Sequence, residues 1–85
     1  MKIVEYTITD ALGIHARPAG ALVKEAKKFQ SRIMLQKGEK SVDATRLMAL
    51  MSLAVKCGDK IVFTVEGADE EAAAEQLEAF LKSNL

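Results

Sequence analysis

Val4, Tyr6 and Ile8 alternate with Glu5 and Thr7 near the start of the chain, the two-residue period of a strand with one face buried and one face wet. After Gly13 the period changes. Ala19, Leu22, Val23, Ala26 and Phe29 fall at i, i+3, i+4, i+7 and i+10, which puts them on one face of a helix beginning near Ala16. Pro18 suits the first turn of that helix, where a missing N–H costs nothing. Ile33 and Leu35 then alternate in "RIMLQ", and "KGEK" reads as a hairpin turn into a short strand, "KSVDA". The run "TRLMALMSLAV" is apolar nearly all round and too long for one strand, so it predicts a short helix closed by Gly58. Ile61, Phe63 and Val65 mark a last strand. Asp69 is the expected N-cap of a final helix, with Glu70 and Glu71 in its first turn and Ala73, Leu77, Phe80 and Leu81 on its buried face.

The predicted order is βαββαβα. Clean alternation along the strands implies an antiparallel sheet with one open face and the helices on the other, an α+β two-layer sandwich. Periodicity alone leaves the strand order open. No linker, internal repeat or low-complexity segment divides residues 1–85, so a single domain with one modest core is expected.

Composition changes this picture only by exclusion. Twelve Lys and Arg balance twelve Asp and Glu, which gives no sign of nucleic acid as a partner or of an anionic membrane. Strand-borne aromatic pairs of the kind that stack on bases are also missing, which argues against a small nucleic-acid-binding sheet module. One cysteine, Cys57, excludes an internal disulfide and fits a reducing cytoplasm; its expected place is buried and inert. The alternating "MKIVEYTITD" lacks the apolar run of a signal peptide or membrane span, so no membrane insertion is expected.

The only histidine, His15, stands where the loop gives way to the first helix. A lone histidine is most often a surface or satisfied core residue. Metal ligation needs three or four ligands, and no second histidine exists while Cys57 lies far along the chain. Nothing marks a nucleophile elbow either. Position is what favours chemistry. At a helix start, unpaired N–H groups, here of Ala16 and Arg17, and the positive end of the dipole point outward and suit an anion. Arg17 adds a planar guanidinium matched to phosphate oxygens. An imidazole ordinarily titrates near about pH 6.5, so a neutral ring nitrogen can act as nucleophile. The layout is an open phosphate seat with a nucleophile in it.

At these residues the sequence resembles a known family. "GIHARPAGALV" is similar to the active-site signature of HPr, the histidine-containing phosphocarrier of the bacterial sugar phosphotransferase system. "LMALMSLAV" and "GADEEAAAEQL" match that family in place and spacing, so the resemblance covers the whole chain. It implies an open-faced sandwich of four antiparallel strands in the order 1-4-2-3 with three helices on one face. It also implies that His15, through ring Nδ1, takes a phosphoryl group from phosphorylated enzyme I, itself charged by phosphoenolpyruvate. The group then passes to an enzyme II A component. Such a protein is a stoichiometric carrier rather than an enzyme, needs no metal or cofactor, and is expected to be a cytoplasmic monomer. A regulatory paralogue that binds partners without carrying phosphate typically loses the histidine, which is present here.

Two features beyond the seat bear on partners. Arg17, Gly20, Lys24 and Lys27 share one face of the first helix, opposite its apolar face. A basic stripe leading from a phosphate seat reads as steering toward acidic partners, whereas Lys28 reads as ordinary solvated surface. In the short apolar helix, Leu50 and Leu53 are expected in the core. Met48 and Met51 are left over as an adaptable exposed patch, and the family resemblance adds Leu47 to that docking surface.

The chain departs from the family at Arg46. In many Gram-positive relatives a serine just before this helix is phosphorylated by an ATP-dependent kinase and controls carbon catabolite repression. Arginine has no hydroxyl, caps poorly and places a cation at the positive helix end. Asp43 or Thr45 is left as an alternative cap, and neither Thr45 nor Ser52 is in register to replace the serine. Ala54, where relatives often carry glycine, reads as a minor packing change.

Overall fold

The computed structural model describes residues 1–85. Its elements run β1 (Lys2–Thr7), α1 (Ala16–Lys27), β2 (Arg32–Lys37), β3 (Lys40–Asp43), α2 (Leu47–Ser52), β4 (Lys60–Glu66) and α3 (Glu70–Asn84). The four strands form one antiparallel sheet in the order β1-β4-β2-β3. Val4, Ile33, Leu35, Ile61, Phe63 and Val65 point inward beneath the helices. Their strand neighbours Ile3, Glu5, Gln36 and Glu66 point to the open face and are exposed. The alternation read from the sequence therefore decides which side of the sheet is covered.

Ala19, Leu22, Val23 and Ala26 of α1 join Leu50 of α2 and Ala73, Leu77 and Leu81 of α3 in a core of twenty buried residues. Full burial of each Leu, Ile or Phe contributes roughly 1.5–3 kcal/mol. Phe29 packs on this core from beyond the end of α1, half-buried, rather than from within the helix.

Four further expectations need correction. The apolar run does not make one helix ending at Gly58, because α2 stops at Ser52. Leu53 is its C-cap, and Ala54 adopts a left-handed backbone with φ of 52°. Lys37 of β2 donates to the Ala54 carbonyl at 2.9 Å and to that of the C-cap Leu53 at 3.4 Å, which ties the chain just past the helix to the sheet. Val55 is buried outside any helix, so its hydrophobicity misleads the helical reading. Ala54 itself is exposed, so its difference from glycine is a matter of backbone conformation and not of packing.

Asp69 sits at the N-cap of α3, but its side chain does not cap it. The carboxylate accepts instead from the Gln30 and Ser31 N–H groups, each at 2.9 Å, and from the Ser31 hydroxyl. These bonds, the Ser31 hydroxyl first, hold the Asp69 carboxyl below its usual range and tie the α1–β2 turn to the start of α3. Cys57 is exposed rather than buried, because it lies in the turn leading to β4 with its Sγ 3.8 Å from the Thr9 carbonyl.

Candidate functional site

The segment before α1 is held from three sides. The Thr9 and Asp10 N–H groups both donate to the main-chain oxygen of Leu85, at 2.7 and 2.9 Å, and the Thr9 hydroxyl adds a third bond at 2.8 Å. The Leu12 N–H donates to Asp10 Oδ1 and the Gly13 N–H to the Asp10 carbonyl, both at 2.9 Å. The Ile14 N–H donates to the Val55 carbonyl at 3.1 Å, and the Ile14 side chain is buried. Gly13 is required here for two reasons. Its φ is +67°, and a Cβ at this position would lie 2.3 Å from the Val55 oxygen.

His15 follows as the N-cap of α1, with extended backbone (φ −92°, ψ −178°) and no capping bond from its ring. The ring is thus free of the duty that N-cap side chains usually perform. Its carbonyl accepts from the Ala19 N–H at 3.0 Å, which starts the helix. The N–H groups of Ala16 and Arg17 precede the first intrahelical donor, and Pro18 has none to offer. Pro18 is buried and fixes the first turn while Ala16 and Arg17 stay exposed. His15 and Arg17 line a hollow of about 240 Å³ with Asp10, Pro18, Ala21 and Asn84. A guanidinium and a half-buried imidazole line it, and two open N–H groups and the helix dipole lie in the same first turn, the equipment for holding an anionic group on the ring.

The remaining residues singled out from the sequence lie outside the lining of this hollow. Lys24 and Lys27 are exposed along α1, and Gly20 is half-buried with open space where a Cβ would stand. The helix α1 packs against α2, whose Met48 is 80% exposed, with Leu47 at 43% and Met51 at 38%. Leu50 and Leu53 are buried, as the apolar pattern requires. Arg46 is the N-cap of α2, exposed and without a side-chain capping bond. None of the six ion pairs in the structure engages Arg17, Lys24, Lys27 or Arg46. Lys28, in contrast, pairs with Glu25 at 3.3 Å.

Neither proposed alternative caps α2. Asp43 accepts from the Thr45 hydroxyl at 2.6 Å and the Thr45 N–H at 2.9 Å, and so shapes the turn ahead of the helix. Those two bonds, with Arg46 nearby, hold the Asp43 carboxyl below its usual range. The Ser52 hydroxyl is likewise engaged, donating to the Ala49 carbonyl at 2.6 Å.

Sequence reasoning missed Asp10, Val55, Leu85 and Lys37, all of which shape the site or its flanks. Asp10 in "TITDALG" could have been noticed as an Asx turn ahead of Gly13. The other three act through contacts between distant segments, which leave no local pattern.

Fold and site together define a class: an open-faced α+β sandwich that presents one histidine, with an arginine two residues on, at a helix start. The family model described as the PTS HPr component phosphorylation site matches residues 3–83. The chain belongs to the HPr family of phosphotransferase-system phosphocarriers. The phosphocarrier protein HPr of Lysinibacillus sphaericus is 42% identical over 81 residues, covering 95% of this chain and 92% of that one. The HPr-like protein Crh of Bacillus subtilis is 41% identical over 73 residues, covering 86% of each. Among solved structures, an HPr from Thermoanaerobacter tengcongensis superposes with a TM-score of 0.93 at 41% identity, over 98% of this chain and 93% of that one. The HPr of the same organism has also been solved as a dimer.

Proposed function

We propose that the chain accepts a phosphoryl group on His15 from phosphorylated enzyme I and passes it to enzyme II A components for sugar uptake in the cytoplasm. The observation that carries this reading is the conjunction at the start of α1: an uncapped imidazole and Arg17 lining one hollow, with two open N–H groups in the same first turn. In the transfer a neutral ring nitrogen attacks phosphorus, the new N–P bond forms as the donor's P–N bond breaks, and the other ring nitrogen keeps its proton. The Ala16 and Arg17 N–H groups and the Arg17 guanidinium receive the phosphoryl oxygens. No metal or cofactor takes part in this scheme, and turnover comes only through the partners, so the protein acts as a carrier.

Partner docking in this reading uses Gly20, Lys24 and Lys27 of α1 together with Leu47, Met48 and Met51 of α2. The two unpaired cations of this surface, Lys24 and Lys27, suit acidic partners, while the methionines adapt to more than one of them. Arg46 removes the serine that would accept phosphate from an ATP-dependent kinase. Thr45 and Ser52 do not supply a substitute, since both hydroxyls already donate to protein oxygens. The chain therefore stays in the unmodified, phosphate-shuttling state. The working form is taken as the monomer, and light scattering separates it from a dimer like that of the Thermoanaerobacter relative.

The test of the central claim is incubation with phosphoenolpyruvate and enzyme I. Intact mass should rise by one phosphate, and His15→Ala should stay folded and unlabelled. Labelling of the His15→Ala variant would remove this histidine from the mechanism.

A further inference from the structure

One wall of the hollow around His15 carries a negative charge that phosphate binding alone does not call for. Asp10 lines that hollow together with Arg17. Its main chain is fixed through bonds to Leu85 and Gly13. Its Oδ1 is fixed by the Leu12 N–H at 2.9 Å, while Oδ2 makes no hydrogen bond. The Asp10 carboxylate and the Arg17 guanidinium share the hollow without forming an ion pair. Neither charge is neutralised by the other, and the anchored one is the anion.

We infer that Asp10 is a tuning residue, whose charge disfavours the phosphorylated form of His15 and so raises the readiness of the phosphoryl group to move on. The inference rests on the phosphocarrier reading. Its logic is that a carrier must release what it accepts. Open N–H groups, a helix dipole and a guanidinium all stabilise a bound phosphoryl group, and unopposed they would turn the seat into a sink. A fixed carboxylate lining the same hollow repels the same oxygens and offsets part of that attraction. The bond that forms and the bond that breaks are unchanged; only the equilibrium between donor and carrier moves.

The experiment measures the equilibrium constant for phosphoryl exchange between enzyme I and the carrier, for the parent chain, Asp10→Asn and Asp10→Glu. Asparagine keeps an oxygen for the Leu12 N–H and removes only the charge; Asp10→Ser serves the same purpose should the asparagine variant fail to fold. Asp10→Asn should shift the equilibrium toward the phosphorylated carrier by about three- to tenfold, and Asp10→Glu should restore the parent value. The difference should shrink as salt is raised, a response that a purely structural role would not produce. An unchanged constant in Asp10→Asn, or a shift toward the unphosphorylated carrier, overturns the inference and leaves the phosphocarrier reading standing. Absence of labelling on every chain, the parent included, overturns both.

Discussion

Helices α1 and α2, which pack against each other, are held in place in different ways. Helix α1 spans twelve residues, carries five buried positions on one face and has basic residues in its last turn. Most of what fixes it lies within its own segment: Pro18 at the start, the apolar stripe along it, and Lys24 and Lys27 where the dipole favours cations. Helix α2 has six residues and one buried position among them, with neither an acidic first turn nor a basic last turn. A helix so short is not stable on its own account. Outside contacts define it: the Asp43–Thr45 turn ahead of it, the Lys37 ammonium at its end, and Leu50 and Leu53 in the core. A self-sufficient helix suits the job of presenting a reactive group at a fixed place. One held by its neighbours can leave most of its surface free for contact.

This contrast is broken most strongly at the start of α1. Arg17→Glu replaces the cation proposed to bind phosphate with a repelling carboxylate, and should raise the barrier to transfer by about 2–5 kcal/mol in both directions. Arg17 is exposed and engages in no ion pair, so the melting temperature should hardly move. Rapid-quench kinetics with phosphorylated enzyme I reads the first effect and thermal denaturation the second. Transfer at the parent rate would show that the backbone donors suffice without the guanidinium.

The next effect reaches the same site through the segment after α2. Gly13→Ala forces a Cβ against the Val55 carbonyl at a positive φ, and should destabilise the fold by about 2–4 kcal/mol. Because Val55 also accepts the Ile14 N–H, the damage should reach His15. Chemical denaturation and the labelling rate should therefore fall together. A variant that melts like the parent would show that the Val55 segment yields easily, and that the approach to α1 is less rigid than its bonds imply.

Met48→Asp sharpens the comparison from the other helix. Met48 is almost fully exposed, so its loss should leave the melting temperature nearly unchanged. Affinity for enzyme I should weaken by about ten- to a hundredfold, or about 1.4–2.7 kcal/mol. Calorimetric titration with enzyme I measures the loss. If the variant unfolds well below the parent, Met48 supports the fold and the proposed docking surface is wrong.

The same contrast explains what could be read from the chain alone. The strands and α1 follow from periods of two and of 3.6, which survive folding because each element buries one face against one layer. The place of His15 and Arg17 at the start of α1 was legible because that helix is bounded by local signals. The end of α2 was not, since Val55 continues the apolar run while serving a different purpose: it is buried after the chain has turned. Asp69 was misread in its role because a carboxylate at an N-cap can satisfy a neighbouring turn equally well, and only the fold brings Gln30 and Ser31 beside it. Cys57 went to the surface because its turn must cross beside Thr9 to start β4.

The smallest effect should come from the residue just past the C-cap of α2. Ala54 holds a left-handed conformation with φ of 52° while exposed to solvent. A side chain in that region costs about 1 kcal/mol or more, and glycine removes the cost. Glycine also loosens the unfolded chain, which opposes the gain by about 0.4–1 kcal/mol. The two terms leave Ala54→Gly stabilising by about 0.5 kcal/mol, a rise of about 2–4 °C in melting temperature for a chain of this size. Gly38 provides the mirror case, with φ of +60° and open space around a would-be Cβ. Gly38→Ala meets the same backbone cost with no clash, so it should lower the melting temperature by a similar amount. Calorimetry on both variants decides the matter. A fall in Ala54→Gly together with a fall in Gly38→Ala would mean that the methyl group of Ala54 does more for the end of α2 than its exposure suggests, and that this helix is not held chiefly by its neighbours.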